Sequence, residues 1–232
     1  MKAPIILAID TSDFDTALAW IENTKGSVSV YKLGLEFYLN FGSAGVSRII
    51  EETGAEIFLD LKLHDIPHTV NGAAKAVAHL APKFLTVHAS GGAAMIKAAV
   101  DVMPNTNITG VTILTSLSEK DVSEVGFKCT ALQSAVGLAK VAVAAGAKAI
   151  VCSPLEIAAV RKEVGVSPII ITPGVRPLDM VGTDDQQRTM TPEDAIAAGA
   201  NLVVIGRPIT QSWAQGASAM KERAQEIGSR LI

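Results

Sequence analysis

The 232-residue chain is poor in cysteine, tryptophan and tyrosine, with two of each, and aromatic side chains make up only 4% of it. Cys129 and Cys152 show no metal-ligand spacing, so no disulfide framework is implied and a reducing compartment is expected. There is no dense Lys/Arg run. The 20 basic and 23 acidic residues leave a net charge of -3, which provides no electrostatic footprint for nucleic acid or an anionic membrane. No uninterrupted apolar stretch reaches the ~18 residues of a membrane-spanning helix. The apolar run from Ala3 to Ile9 stops at Asp10, too short for the core of a signal peptide plus a cleavage site. A cytoplasmic protein with no nucleic-acid or membrane partner is expected. G-x-S-x-G, P-loop and G-x-G-x-x-G motifs are also missing, so acyl transfer and nucleoside triphosphate chemistry have no support.

What is present is apolar and regularly punctuated. Hydrophobic residues account for 49% and charged ones for 19%, with a mean hydropathy of +0.35. Such a chain folds, and its length fits a single domain over residues 1–232 with a full core. Strand-like runs at Ile5 to Asp10, Val28 to Leu33, Glu56 to Leu61, Phe84 to His88, Ile108 to Leu114, Ala149 to Cys152, Pro168 to Thr172 and Leu202 to Ile205 alternate with helical patterns. Glycines at 146, 165 and 199 mark helix-to-strand joins. Eight βα units in this length predict a (β/α)8 TIM barrel rather than an open doubly wound sheet.

The most informative stretch is Asp60-Leu61-Lys62-Leu63-His64-Asp65-Ile66-Pro67. Strand alternation predicts Asp60 and Lys62 on the face of Phe58, with Asp65 on a loop beyond the strand end. In a (β/α)8 barrel the active site lies at the C-terminal strand ends. There the first strand contributes Asp10, the second Lys32 and the third Asp60 and Lys62. Carboxylates around an ammonium favour its charged form, which suits a proton donor rather than a Schiff-base lysine. A structural ion-pair network is the plainer reading of the same charges.

At the other end of the chain, Gly206-Arg207-Pro208 follows the eighth strand and Pro173-Gly174-Val175-Arg176 the seventh. Glycine, a helix start and an arginine fork suit a phosphate, and these two loops are the usual phosphate site of the barrel. The polar loop from Arg176 to Met190, with Asp184-Asp185-Gln186-Gln187-Arg188, has the composition of a lid. Thr191-Pro192 is expected to cap a helix. His64 and His68 are not expected to hold a metal, because Pro67 interrupts a shared helix and Lys62 places a cation beside them. His79 and His88 are expected to be surface and core residues.

Asp60-Leu61-Lys62-Leu63-His64-Asp65-Ile66-Pro67-His68-Thr69 resembles the signature of orotidine 5'-phosphate decarboxylases. Leu7-Ala8-Ile9-Asp10, Tyr31-Lys32-Leu33-Gly34, Leu114-Thr115-Ser116, Thr172-Pro173-Gly174-Val175-Arg176 and Ile205-Gly206-Arg207-Pro208-Ile209 fall in that family's order. The resemblance spans nearly the whole chain. It implies conversion of orotidine 5'-phosphate (OMP) to uridine 5'-phosphate (UMP) and CO2, without a cofactor or metal, in a homodimer with shared sites. By the same resemblance Lys62 donates a proton to C6 of the pyrimidine, and Asp60 sits against the departing carboxylate. Lys32 holds the array and contacts the ribose, while Asp10 binds a ribose hydroxyl. Asp65 and Thr69 come from the other subunit. Arg207, the Gly206 backbone and Gln187 hold phosphate with Arg176 near it, and Thr115 and Ser118 face the pyrimidine.

Two other readings remain at this level. Metal-dependent sugar-phosphate enzymes of the same barrel group share the D-x-K-x-x-D core, but their second strand supplies an acidic metal ligand where this chain has Lys32. A non-catalytic barrel that senses UMP is the alternative from a different class.

Overall fold

The computed structural model describes residues 2–180 and 190–232. Eight parallel strands close into a barrel in sequence order: β1 (Ala3–Ala8), β2 (Val28–Gly34), β3 (Ile57–Leu63), β4 (Phe84–His88), β5 (Asn107–Val111), β6 (Ala149–Val151), β7 (Ile169–Thr172) and β8 (Leu202–Ile205). This is the predicted (β/α)8 TIM barrel. The helices between strands include α1 (Phe14–Thr24), α2 (Leu35–Thr53), α3 (Pro67–Val77), α4 (Gly92–Val102), α5 (Glu119–Glu124), α6 (Ala131–Ala144), α7 (Ile157–Val164) and α8 (Pro192–Ala197). After β8 come the short α9 (Arg207–Thr210) and α10 (Ala217–Ser229). Among the described residues no helix is long and apolar enough to cross a membrane.

Local chemistry accounts for many boundaries. Asp13 caps α1 by accepting from the Thr16 N–H at 2.7 Å, and Thr191 caps α8 with Pro192 at its first position, as its motif predicts. Gly146 and Gly199 close helices at φ +97° and +111°, a backbone region that side chains resist. Three strand ends differ from expectation by two residues or more. β1 stops at Ala8, two residues before Asp10, and β3 runs on to Leu63, so Lys62 lies inside the strand. β5 ends at Val111 rather than at Leu114 because Ile113 turns away to pack with Val122, Ala131 and Ala135 beneath α5 and α6.

Period-two alternation divides the core. Ile5, Leu7, Tyr31, Leu33, Leu59 and Leu85 belong to the large apolar cluster shared with the helices. Ile6, Val30, Phe58, Phe84, Ala149 and Ile171 form a separate cluster, the packed layer inside the barrel. Phe58 and Phe84 meet there with ring centroids 5.5 Å apart at 60°. Directly above this layer, on the same faces, stand Lys32 two residues after Val30 and Asp60 two after Phe58.

Phe84 is fully buried, and truncating a buried Phe costs about 3–5 kcal/mol. Phe84→Ala is expected to lower the urea midpoint accordingly, whereas Val166→Ala, at a position 91% exposed, leaves it near that of the wild type. Equilibrium unfolding followed by circular dichroism measures both.

Candidate active site

Register brings the charges together. Ala8 pairs with Lys32, Lys32 with Phe58, and Gly34 with Asp60, so the tips of β1, β2 and β3 are adjacent. Lys32 Nζ lies 3.0 Å from Asp10 Oδ1 and 3.9 Å from Asp60 Oδ2, and Lys62 Nζ lies 2.7 Å from that same Asp60 oxygen. The order Asp10, Lys32, Asp60, Lys62 therefore alternates in sign. Gly34 relieves this crowding, since a Cβ there would stand 3.1 Å from Lys32 Nζ and push the ammonium by a few tenths of an ångström. Gly206 has a similar reason: its Cβ would come within 3.3 Å of the Ala8 methyl.

Asp60 is the buried member, at 7% exposure. Burial alone pushes its carboxyl up, but Lys32, Lys62, and hydrogen bonds from Lys62 and Thr86 outweigh it and hold it below the usual carboxylate range. Lys62 reaches Asp60 by an irregular route. Pairing of β3 with β4 shifts register between Leu59 and Leu63, and Lys62 has φ +49°. A non-glycine residue in that region carries about 1–3 kcal/mol of strain. Asp60 and Lys62 thus converge as predicted, though through a bulge and a left-handed residue rather than regular alternation.

A cavity of about 230 Å³ opens over the array. Lys32, Asp60 and Lys62 form one wall above Phe58; Val111, Ile113, Thr115, Val151 and Pro173 face them, and Val204 of β8 closes the side next to β1. It presents charges on one side and apolar groups on the other, the layout of a small-molecule site.

The remaining predicted residues separate into groups. Asp65 and Thr69 are exposed and line a second, shallower pocket together with Lys62, outside the main cavity, and the Asp65 carboxylate accepts from the Ile66 N–H at 2.6 Å. Ser118 is the N-cap of α5, with its hydroxyl bonded to Asp121, and of the pair with Thr115 only Thr115 lines the cavity. Arg176 is buried, with Nη1 donating to the Val175 carbonyl. Arg207 is exposed at the start of α9 beside Gly206. Gln187 and most of the 176–190 loop lie outside the described residues. His88 is a correction: it is half-buried rather than core, 5.2 Å from the exposed His64 ring, and burial followed by His64 and Lys62 pushes its pKa down. Sequence reasoning missed Thr86, fully buried on β4, whose hydroxyl touches both Asp60 and Lys62. Only its position two residues before His88, facing the strand-three charges, could have pointed to it.

A carboxyl held low in the folded state adds stability above the ordinary carboxylate range of about pH 4 and loses it as pH falls through the folded value. Asp60→Asn removes that contribution. The acid-side decline of its thermal midpoint is expected to be shallower than the wild type's in melts between pH 7 and 3.

The Orotidine 5'-phosphate decarboxylase / HUMPS family model matches residues 3–222. The chain is 52% identical over 219 residues to an orotidine 5'-phosphate decarboxylase of Thermobifida fusca (strain YX), covering 94% of each. The crystal structure of orotidine 5'-phosphate decarboxylase from Lactobacillus acidophilus superposes with a TM-score of 0.83 at 32% identity over 99% of both chains. The enzyme from Methanocaldococcus jannaschii, complexed with the inhibitor BMP, does so with a TM-score of 0.79 at 26% identity, over 100% of this chain and 99% of that one. With the match running from β1 into α10, the chain belongs to the orotidine 5'-phosphate decarboxylase / HUMPS family.

Proposed function

We propose that this protein decarboxylates OMP to UMP and CO2, the last step of de novo pyrimidine synthesis, as a cytoplasmic single-domain enzyme. The observation that carries this reading is Lys32. Its ammonium stands between Asp10 and Asp60, at 3.0 and 3.9 Å, on the strand where the metal-dependent sugar-phosphate relatives need an acidic ligand. The matched curated relatives carry the decarboxylase name.

The chemistry follows from the array. When the bond from C6 to the carboxylate carbon breaks, its electron pair stays on C6 and CO2 departs. The Lys62 ammonium, held by Asp60, supplies a fixed positive charge against that developing carbanion and then transfers an Nζ proton to C6, becoming a neutral amine. Two carboxylates ~4 Å apart repel by about 4 kcal/mol at an effective dielectric of 20, a repulsion that loss of CO2 would relieve where Asp60 faces the substrate carboxylate. The apolar wall of Val111, Val151 and Ile113 offers the uncharged CO2 a surface that the carboxylate lacks. Asp10 and Lys32 take the ribose, Thr115 the pyrimidine, and Gly206, Arg207 and Gln187 the phosphate, with Arg176 near it. Phosphate binding far from C6 supplies energy to hold the substrate carboxylate against Asp60.

Asp65 and Thr69 serve the site of a second copy. Their exposure beside Ile66, itself 65% exposed, supports a homodimer in which each β3–α3 loop reaches across.

Purified protein is expected to consume OMP, followed by absorbance, in chelator-treated buffer, and Lys62→Ala to lower kcat by at least about 10²-fold. Activity only with added Mg²⁺ and a ketose phosphate would favour the metal-dependent branch; UMP affinity without OMP turnover would favour a sensor. For the shared site, mixing inactive Lys62→Ala and Asp65→Ala proteins is expected to regenerate activity, and sedimentation to give a dimer. A fully active monomer refutes this arrangement.

A further inference from the structure

Between Leu59 and Leu63, β3 spends three residues where β4, between Leu85 and Val87, spends one. That one is Thr86, fully buried. The ladder skips there, and the Lys62 N–H, which regular pairing would give a carbonyl, instead donates to Thr86 Oγ1 at 2.8 Å. The same hydroxyl donates its proton to Asp60 Oδ1 at 2.9 Å, leaving Oδ2 for Lys62 Nζ. One oxygen thus ties the backbone of the lysine to the carboxylate that holds its side chain.

We infer that Thr86 is a positioning residue for the decarboxylation, its hydroxyl setting both the left-handed backbone of Lys62 and the rotation of the Asp60 carboxylate so that Nζ and Oδ2 meet. This rests on the function proposed above. Few side chains fit the task. The atom must accept one hydrogen bond and donate another in a dry site, which serine and threonine hydroxyls do and an isosteric valine does not. Valine keeps the volume and leaves the Lys62 N–H and Asp60 Oδ1 without their partner. The groups facing Asp60 are Lys32 from β2, Lys62 from its own strand and Thr86 from β4, with His88 further along β4 and Asp10 behind Lys32.

The test compares wild type, Thr86→Val and Thr86→Ser in OMP turnover across pH, with circular dichroism and thermal midpoints for each. In Thr86→Val, kcat is expected to fall by about 10²-fold, the cost of an ~1 Å misplacement of a reacting group, with KM within about threefold of wild type because the ribose and phosphate contacts are untouched. Its acid limb moves to higher pH, since Asp60 has lost a donor to its charged form. Thr86→Ser recovers most of kcat and the original limb. A valine variant with wild-type kcat and limb overturns the inference, as does a loss of activity that serine fails to restore. Thr86→Ala gives the same readout should the valine protein not fold. Titration of the Asp60 carboxyl carbon by NMR, assigned with Asp60→Asn, is independent of activity: a value higher in Thr86→Val than in wild type supports the inference even if OMP is not the substrate, and an unchanged value overturns it.

Discussion

A carboxylate buried at the tip of a barrel strand is unfavourable unless its surroundings replace the water it has lost. Asp60 sets that constraint here, and its neighbours answer it from three strands: Lys32 from β2, Lys62 from β3 and Thr86 from β4. Because β2, β3 and β4 are consecutive in the barrel, the three can converge only once the sheet has formed in this order. The bulge in β3 belongs to the same solution. It lifts Lys62 out of the ladder, and the strain of about 1–3 kcal/mol in its left-handed backbone is offset by charge-assisted bonds that regular pairing would not allow.

Alternation of sign from Asp10 to Lys62 gives the array two properties. It is neutral as a set, so it is tolerable in a partly buried position, and it is held in place before any ligand arrives. A preset ammonium stabilises charge that develops at the reacting carbon without first having to reorganise. Across the cavity the apolar residues of β5 and β6 carry no such charges, so the two halves of the barrel mouth divide the work. Gly34 and Gly206 belong to the same geometry, giving up side chains where the ammonium of Lys32 and the methyl of Ala8 need the space.

Much of this was legible in the chain. Strand runs broken by Gly and Pro led to the eight-stranded barrel, because burial on both faces of a parallel strand leaves compact apolar runs. The charges at the ends of the first three strands led to the site, because polar residues have few other reasons to sit there. Strand ends were less legible: β5 ends early because Ile113 packs with α5 and α6, the two helices that follow it, a tertiary contact that strand periodicity does not show. Ser118, expected to face the pyrimidine, is bonded to Asp121 as the N-cap of α5, a contact not read from the sequence.

By itself the sequence determined the barrel, the identity of the charged residues at its mouth and the family to which they belong. These depend on local periodicity and on residue chemistry, both of which survive without coordinates. The tertiary structure alone decided how the charges meet: which oxygen of Asp60 each lysine takes, the left-handed turn at Lys62, and the part played by Thr86. Those features depend on register between neighbouring strands, and a shift of register is produced by packing across the sheet, which no single stretch of sequence contains.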